Sequence, residues 1–535
     1  MRSIEIPYIK DRGKRYRFFE MLPGLLTWFL LALPFILSLI SPLACVIFVL
    51  AYLLLWFAKS MGVTVRSLQG FNMMEKHRRL PWRQMLEDLE TGEVTQSGAR
   101  IPAWHADNVQ RVQEGQPMVK PQDVVHAIII ATYNESRAVL EPTIQSVLDS
   151  DFDMSRVILV LGYEGRTGPG VEAQAKQLVA DYKGKFRDAF AVKHTVLEGE
   201  VRGKGGNITK AGRVLQEYLE ERKIDPINVV VTTLDADNRP DKQYLGALSY
   251  VYALTPDPRY VSYQPVPIYT NNIWDVPAPM RVIATGNSFW NLVLCLRPHI
   301  LRNFSSHAQS MAALIDTDFW SVRTIVEDGH QFWRTYFRYE GRHEVYPLYV
   351  PIYQDAVLST TLRRTLKAQF IQIRRWAWGA SDVAYVAEMG FFRKNKVPKA
   401  DLVMKFLRLL EGHVSWAVAP LILAFSARIP SLFNSQDYAS NILPILASRI
   451  QTVALVGIFA TLYLSFKSLP PKPERYKRRR TVWMLLQWFM LPVTTVLYNA
   501  LAAINSQTRL IFGWYLGDFD VTEKATISDT NEKVA

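Results

Sequence analysis

Two carboxylates stand one residue apart in Thr232-Thr233-Leu234-Asp235-Ala236-Asp237, at the end of an apolar run and shortly before Pro240. At a strand end, Asp235 and Asp237 can converge on one hard cation, Mg2+ or Mn2+. Departure of a diphosphate calls for such a cation, because negative charge builds on its oxygens. A solvated turn is the ordinary alternative. Upstream, Arg202-Gly203-Lys204-Gly205-Gly206-Asn207 opens a helical stretch. Glycines let a backbone approach a phosphate, a helix N-terminus favours anions, and Lys204 adds a point charge. A flexible basic turn has the same composition. Ala131-Thr132-Tyr133-Asn134-Glu135-Ser136 ends another apolar run in groups able to hold a base and ribose, although Ser136 reads equally well as a helix cap. Val326-Glu327-Asp328-Gly329-His330 sets two carboxylates side by side. An acceptor hydroxyl is a poor nucleophile until a base takes its proton, so Asp328 is the expected base and His330 a second candidate. An acidic helix start also accounts for the pair. Finally, Gln372-Ile373-Arg374-Arg375-Trp376 precedes Trp378-Gly379. On a helix Gln372 and Trp376 share a face with Arg375 beside them, giving a sugar ring an apolar platform, hydrogen-bond donors and a cation. An interfacial helix recruits the same residues.

Alternating elements must position these groups. Residues 125–132, 157–163, 190–196, 228–235 and 260–266 read as strands, and 138–148, 171–182, 207–221 and 241–253 as helices between them. That alternation predicts an α/β fold with a mostly parallel sheet, whose ligands sit at the carboxyl ends of the strands. Two of the polar motifs fall at such ends.

The rest of the chain reads as membrane. Residues 21–58 carry no charge, a run that as helix measures roughly 57 Å against a hydrocarbon core of ~30 Å, so it is expected to cross twice, turning at Ser41-Pro42. Basic residues flank the run on both sides, Arg12 and Arg17 before it and Lys59 and Arg66 after it, which puts both flanks in the cytosol. A signal peptide has a far shorter apolar region. Further crossings are expected at 414–432, 443–466 and 481–503, with Arg428 and Arg449 snorkelling. The 535 residues hold 62 Lys+Arg against 49 Asp+Glu, a net charge of +13. The basic residues cluster beside apolar runs, as in Pro470-Pro471-Lys472-Pro473-Glu474-Arg475-Tyr476-Lys477-Arg478-Arg479-Arg480, so membrane lipids and not nucleic acid are the expected partner. The two cysteines, Cys45 and Cys295, have no metal-site spacing and suggest no disulfide framework.

These motifs in this order resemble a membrane-integrated family-2 glycosyltransferase, the group that includes cellulose and hyaluronan synthases. The family pattern is a strand ending in Tyr-Asn-Glu, then Asp-x-Asp, then Thr-Glu-Asp, then Gln-x-x-Arg-Trp, and the likeness spans about residues 124–380. It implies a GT-A-like nucleotide-sugar domain between N- and C-terminal transmembrane helices. The activity implied is inverting hexosyl transfer from a nucleotide diphosphate-sugar, a UDP-sugar, to a polysaccharide or glycan acceptor at the cytosolic face of the plasma membrane. By that resemblance Thr132, Tyr133, Glu135, Glu164, Lys204, Asp235 and Asp237 bind the donor, Asp235 and Asp237 hold the metal, and Asp328 is the base. Gln372, Arg375 and Trp376 line the donor and acceptor subsites. Phe519, Val521, Thr522 and Lys524 match the Phe-x-Val-Thr-x-Lys gating loop of cellulose synthases. The implied organisation is a basic cytosolic N-terminus (1–20), a transmembrane hairpin (21–58), a connector (59–123), the cytosolic transferase domain (124–410), C-terminal membrane helices (411–508) with a basic loop at 470–480, and a tail carrying the gating loop (509–535). The connector is expected to be helical near 82–89 and loop-like around 91–100.

Three departures stand out. Glu164 replaces the family's usual Asp after the second strand, and Val326 replaces the Thr of Thr-Glu-Asp. Two N-terminal plus three C-terminal crossings also leave the tail on the wrong side for a gating loop, unless 481–517 re-enters or one segment lies in the interface. Single transfer to a lipid acceptor is the nearest alternative activity. A nucleotide-sugar-sensing transporter or a pseudoenzyme is a more distant one, since the apolar runs are nearly free of ionisable residues and every expected carboxylate is present.

Overall fold

The computed structural model describes residues 4–95, 101–115, 117–477 and 479–517. Two long apolar helices, α1 (Lys14–Ile40) and α2 (Pro42–Arg78), meet at Ser41, whose extended backbone stops the first. The Ser41 hydroxyl accepts from the Ala44 N–H at 3.3 Å, and Pro42 takes a first-turn position where a missing N–H is harmless. The expected turn is therefore the observed one. The connector expected from residue 59 begins instead as a continuation of α2, which packs so closely on the helix Ala278–Cys295 that a Cβ at Gly70 would meet the Leu292 carbonyl at 2.8 Å. Helices α3 (Trp82–Thr91) and α4 (Trp104–Glu114) follow.

The expected strands form, with additions. They are β1 (Val125–Thr132), β2 (Val157–Glu164), β3 (Asp188–His194), β4 (Val229–Asp235), β5 (Arg239–Pro240), β6 (Val261–Tyr269), β7 (Ala308–Ser310) and β8 (Glu344–Gln354), in the order β3-β2-β1-β4-β7-β6-β8-β5. The first four are parallel, but β7 pairs antiparallel with β4 and β6, and β5 antiparallel with β8. β6 and β8 pair parallel over their length, so the sheet is mixed but mostly parallel, its antiparallel pairings being two or three residues long. Side chains alternate faces along each strand. Ala127 and Ile129 of β1 join Ile208 and Leu215 of α7 (Lys204–Glu221) on one side. Ile128 and Ile130 join Leu140 and Ile144 of α5 (Arg137–Leu148), Leu178 of α6 (Pro169–Tyr182) and Leu248 of α8 (Tyr244–Leu254) on the other. Burial on both faces explains why these strands read as continuous apolar runs.

Beyond the sheet come α9 (Ala278–Cys295), α10 (Met311–Asp316), α11 (Glu327–Arg338), α12 (Leu362–Ala377), α13 (Asp382–Ala387) and α14 (Lys399–Phe425). The segment before α1 is strapped onto this part of the domain. Arg334 donates to Glu5 at 2.6 Å, Ser321 also donates to Glu5, and Tyr385 donates to the Ile4 carbonyl at 2.7 Å.

Among the described residues, five segments are long and apolar enough to cross a membrane: Lys14–Ile40, Pro42–Arg78, Lys399–Phe433, Tyr438–Ser468 and Arg479–Phe512. The third starts on the sheet domain, where Tyr336 donates to Asp401 at 2.7 Å, and reaches the far end of α1, where Asn434 donates to the Ser38 carbonyl at 2.8 Å. The fourth returns along α2, Leu443 and Ala447 packing with Val49 and Leu53, and later Leu464 with Phe71 and Met74. The fifth behaves differently. At its start Arg480 donates to the Trp274 carbonyl at 2.9 Å. Midway Ile504 packs with Leu31. At its end Leu510, with Tyr515 and Leu516, packs on Val326 and Trp378. Both ends of this segment therefore rest on the sheet domain.

Candidate active site

The register of the parallel strands builds one polar edge. Ala131 stands opposite Asp235, Thr132 opposite Tyr163, and Glu164 opposite His194, so the carboxyl ends of four strands align. At the first, the Thr132 hydroxyl (2.8 Å) and the Tyr133 N–H (2.7 Å) both donate to Glu135, which curls back over the strand end. The Arg166 guanidinium lies 4.6 Å from the Tyr133 ring centre. Ser136 occupies the cap position of α5 but makes no side-chain capping bond. At the second, Glu164 meets His194 Nδ1 at 2.9 Å and Arg166 at 3.3 Å, while His194 Nε2 meets Glu200 at 3.1 Å. Burial works against an imidazolium, but the two carboxylates outweigh it and raise the His194 pKa.

Asn207 locks this edge: its amide donates to the carbonyls of Thr132 and Gly162, each at 3.2 Å. A Cβ at Gly162 would fall 2.2 Å from the Asn207 oxygen. Neither residue was an expected site residue, although Asn207 closes the glycine-rich motif. Within that motif Lys204 is the first residue of α7, and its Nζ meets Asp235 Oδ1 at 2.6 Å. Desolvation opposes the buried ammonium, yet Asp235 and Glu327 hold its pKa above the usual lysine value. A Cβ at Gly205 would meet the Ser321 carbonyl at 2.3 Å, so the loop fits only without a side chain. Asp237 is buried and accepts the Asp355 N–H at 3.1 Å. Among the described residues no group of three or more His, Cys, Asp or Glu side chains could hold a metal ion. Asp235 and Asp237 alone fit a cation of the Mg2+ kind, which is commonly held by one or two carboxylates and completes its shell with substrate phosphates and water.

Glu327 and Asp328 open α11, and the Gly329 N–H donates to Asp328 at 2.7 Å. Burial and then Asp328 push the Glu327 pKa up to about 8. Burial also raises that of Asp328, against the pull of Lys204. His330 is fully buried, bonded to Asp382 at 2.7 Å, and so is not placed to serve as the base. A stability test follows from Glu327. Between the ordinary glutamate value of 4.5 and about 8, the folded protein holds a proton that the unfolded chain releases, so stability falls as pH rises through that window. Gln is neutral throughout. The apparent Tm of Glu327→Gln in detergent should therefore gain on the wild type from pH 5 to 8, by roughly 2–4 °C, and level off above. The His194 contribution cancels in the difference. A gap that does not change with pH would show that Glu327 is ionised in the folded state.

On α12, Gln369 donates to Gln372 at 3.1 Å, and the Trp376 ring lies 6.4 Å from that of Tyr269. Tyr269 lines the same cavity as Asp235, Asp237 and Asp328, and burial, with these three charges, raises its pKa. Tyr269 was not an expected site residue. It ends β6, a strand whose polar terminus carries no motif. The structure brings Thr132, Tyr133, Glu135, Glu164, Lys204, Asp235, Asp237 and Asp328 together with Gln372, Arg375 and Trp376 around one cavity of about 1200 Å³. Phe519, Val521, Thr522 and Lys524 lie outside the described residues.

No family model matches the chain, and no curated protein does. Solved structures similar to it include the mannosyltransferase PcManGT from Pyrobaculum calidifontis in complex with GDP-Man and Mn2+, at 13% identity over 81% of this chain and 98% of that one, with a TM-score of 0.35. TarS 1–349 from S. aureus in complex with UDP-GlcNAc is similar at 14% identity over 74% and 93%, with a TM-score of 0.36.

Proposed function

We propose that the protein is an inverting glycosyltransferase that moves a hexosyl group from a nucleotide diphosphate-sugar, with a UDP-sugar as the expected donor, to a hydroxyl of a glycan acceptor. The observation that carries this reading is the shared cavity: a phosphate-type cradle, a carboxylate pair, a third carboxylate with raised pKa and an indole platform face one space. In this reading the turn at Thr132, Tyr133 and Glu135 holds the nucleoside, with Glu164 beside it. Lys204 and Arg375 bind the diphosphate. Gln372 and Trp376 orient the sugar, and Asp328 takes the acceptor proton as the acceptor oxygen bonds to the anomeric carbon and the bond to the diphosphate breaks. A carboxylate with a raised pKa suits that task near neutral pH. Asp235 and Asp237 would hold Mg2+ or Mn2+, which when bound supplies charge neutralisation to the leaving diphosphate.

Basic residues flanking the apolar segments support a cytosolic sheet domain in a multi-pass membrane protein, the plasma membrane being the expected site. Contacts at both ends of Arg479–Phe512 support an interfacial or re-entrant course for it, with four segments crossing. Tyr515 and Leu516, among the last described residues, then lie on the catalytic side, which supports a gating role for the motif that follows in sequence. The test is incubation of the purified protein with a panel of nucleotide sugars and Mg2+ or Mn2+, scoring released nucleoside diphosphate and sizing the product. Release with one donor and a glycosylated product is the expected result; no release with any donor rejects the reading.

A further inference from the structure

The cavity does not stop at the carboxylates. It continues between the membrane helices, and that end is lined by Arg66 of α2, Arg297 and Arg302 after α9, and Arg408 of α14. Arg66, Arg297 and Arg408 make no hydrogen bond or ion pair among the described residues. The nearby Lys59 and Glu411 neutralise each other at 2.8 Å. Arg302 is held in place: its guanidinium lies 4.1 Å from the Phe332 ring and 5.1 Å from that of Trp333, and it donates to the Leu301 carbonyl at 2.9 Å. Burial and its like-charged neighbour Arg408 lower the Arg302 pKa to about 10, even with Asp401 opposing. Burial, Arg66 and Arg408 likewise lower that of Arg297, although Glu411 opposes. Each guanidinium thus raises the electrostatic cost of the next, a cost that a bound anion removes.

We propose that this end of the cavity is a second anion site, formed by Arg66, Arg297, Arg302 and Arg408, that takes the phosphate of a lipid head group while the lipid chain lies among the membrane helices. Guanidinium forks match phosphate oxygens two at a time. The same cavity offers the chain an apolar wall in Trp56, Trp290, Leu409, Pro420 and Leu423. A free phosphate would have no use for that wall. The site also adjoins the chemistry: the Asn303 carbonyl, next in sequence to Arg302, is the neighbour nearest a Cβ at Gly329, at 3.9 Å, and Gly329 follows Asp328. On the transferase reading, on which this consequence rests, the lipid carries or is the acceptor.

The test uses the full chain in phosphatidylcholine nanodiscs, with farnesyl phosphate, farnesol and inorganic phosphate titrated against tryptophan fluorescence and uridine diphosphate binding measured in parallel. Farnesyl phosphate should bind at least about tenfold more tightly than either control, and Arg297→Gln/Arg408→Gln should remove that advantage while uridine diphosphate affinity stays within about threefold. Arg66→Gln, on an exposed face of α2, gives an independent check should the double variant fail to fold. Equal binding of farnesol, or an advantage that survives both variants, overturns the site. Inorganic phosphate binding as tightly as farnesyl phosphate overturns the lipid source. Retained farnesyl phosphate binding without any nucleotide binding upholds the site and rejects the transferase reading.

Discussion

Asp328→Asn will lower sugar transfer by about 10²–10⁴-fold while donor affinity stays within about threefold. The substitution is nearly isosteric. An asparagine oxygen can still accept the Gly329 N–H that meets Asp328 at 2.7 Å, so the start of α11 keeps its geometry. Only the ability to take a proton is lost. Glu327 is a poor replacement, because burial, the largest cause of its raised pKa, is unchanged by the substitution. Isothermal titration with the donor, alongside single-turnover rates, separates the two quantities. Equal loss of binding and turnover would show that Asp328 holds the donor and is not the base.

Asp235→Ala and Asp237→Ala should each weaken donor binding by about 100-fold or more in the presence of Mg2+ or Mn2+, and chelation should do the same to the wild type. The sign of this effect is what makes it informative. A bare carboxylate beside a diphosphate repels it, so without a bridging cation either substitution would leave donor binding unchanged or improve it. Asp235→Ala also frees Lys204, whose ammonium now sits 2.6 Å from Asp235, to pair with the phosphates, which pushes further toward tighter binding. Weaker binding in the variants, matched by chelation in the wild type, therefore points to the lost cation. Titration of nucleoside diphosphate with and without metal decides the matter, and tighter binding of the variants removes the metal from the mechanism.

The parallel half of the sheet was legible because its strands are short apolar runs that end in polar motifs, and strand ends in a parallel sheet share one edge. Asp235 beside Thr132 follows from that rule alone. In the other half only β6 was legible. β7 is three residues long, too short for any period, and β8 carries Pro347 and Pro351, which argue against a paired strand; it is nonetheless tolerated beside the short β5. The fifth apolar segment resembles a crossing in composition, and only its contacts with Trp274 at one end and Trp378 at the other distinguish it. The arginine cluster draws on residues 66, 297, 302 and 408, of which only Arg66 stands out in the sequence, and then only as a basic membrane flank. His194 between Glu164 and Glu200, and Asn207 across two strand ends, are likewise products of folding with no local signature.

The strap that ties Glu5 to Arg334, and the bond from Tyr515 to Glu20 at 2.8 Å, join partners 329 and 495 residues apart. During synthesis the first apolar hairpin emerges long before either partner exists. At the ~5–20 residues per second of translation, Glu5 waits roughly 16 s or more for Arg334 and Glu20 roughly 25 s or more for Tyr515. The strap at Ser321, beside Gly205, therefore closes only after more than half of the chain has been made. The order of manufacture itself thus separates insertion of the first hairpin from closure of the strap on the sheet domain.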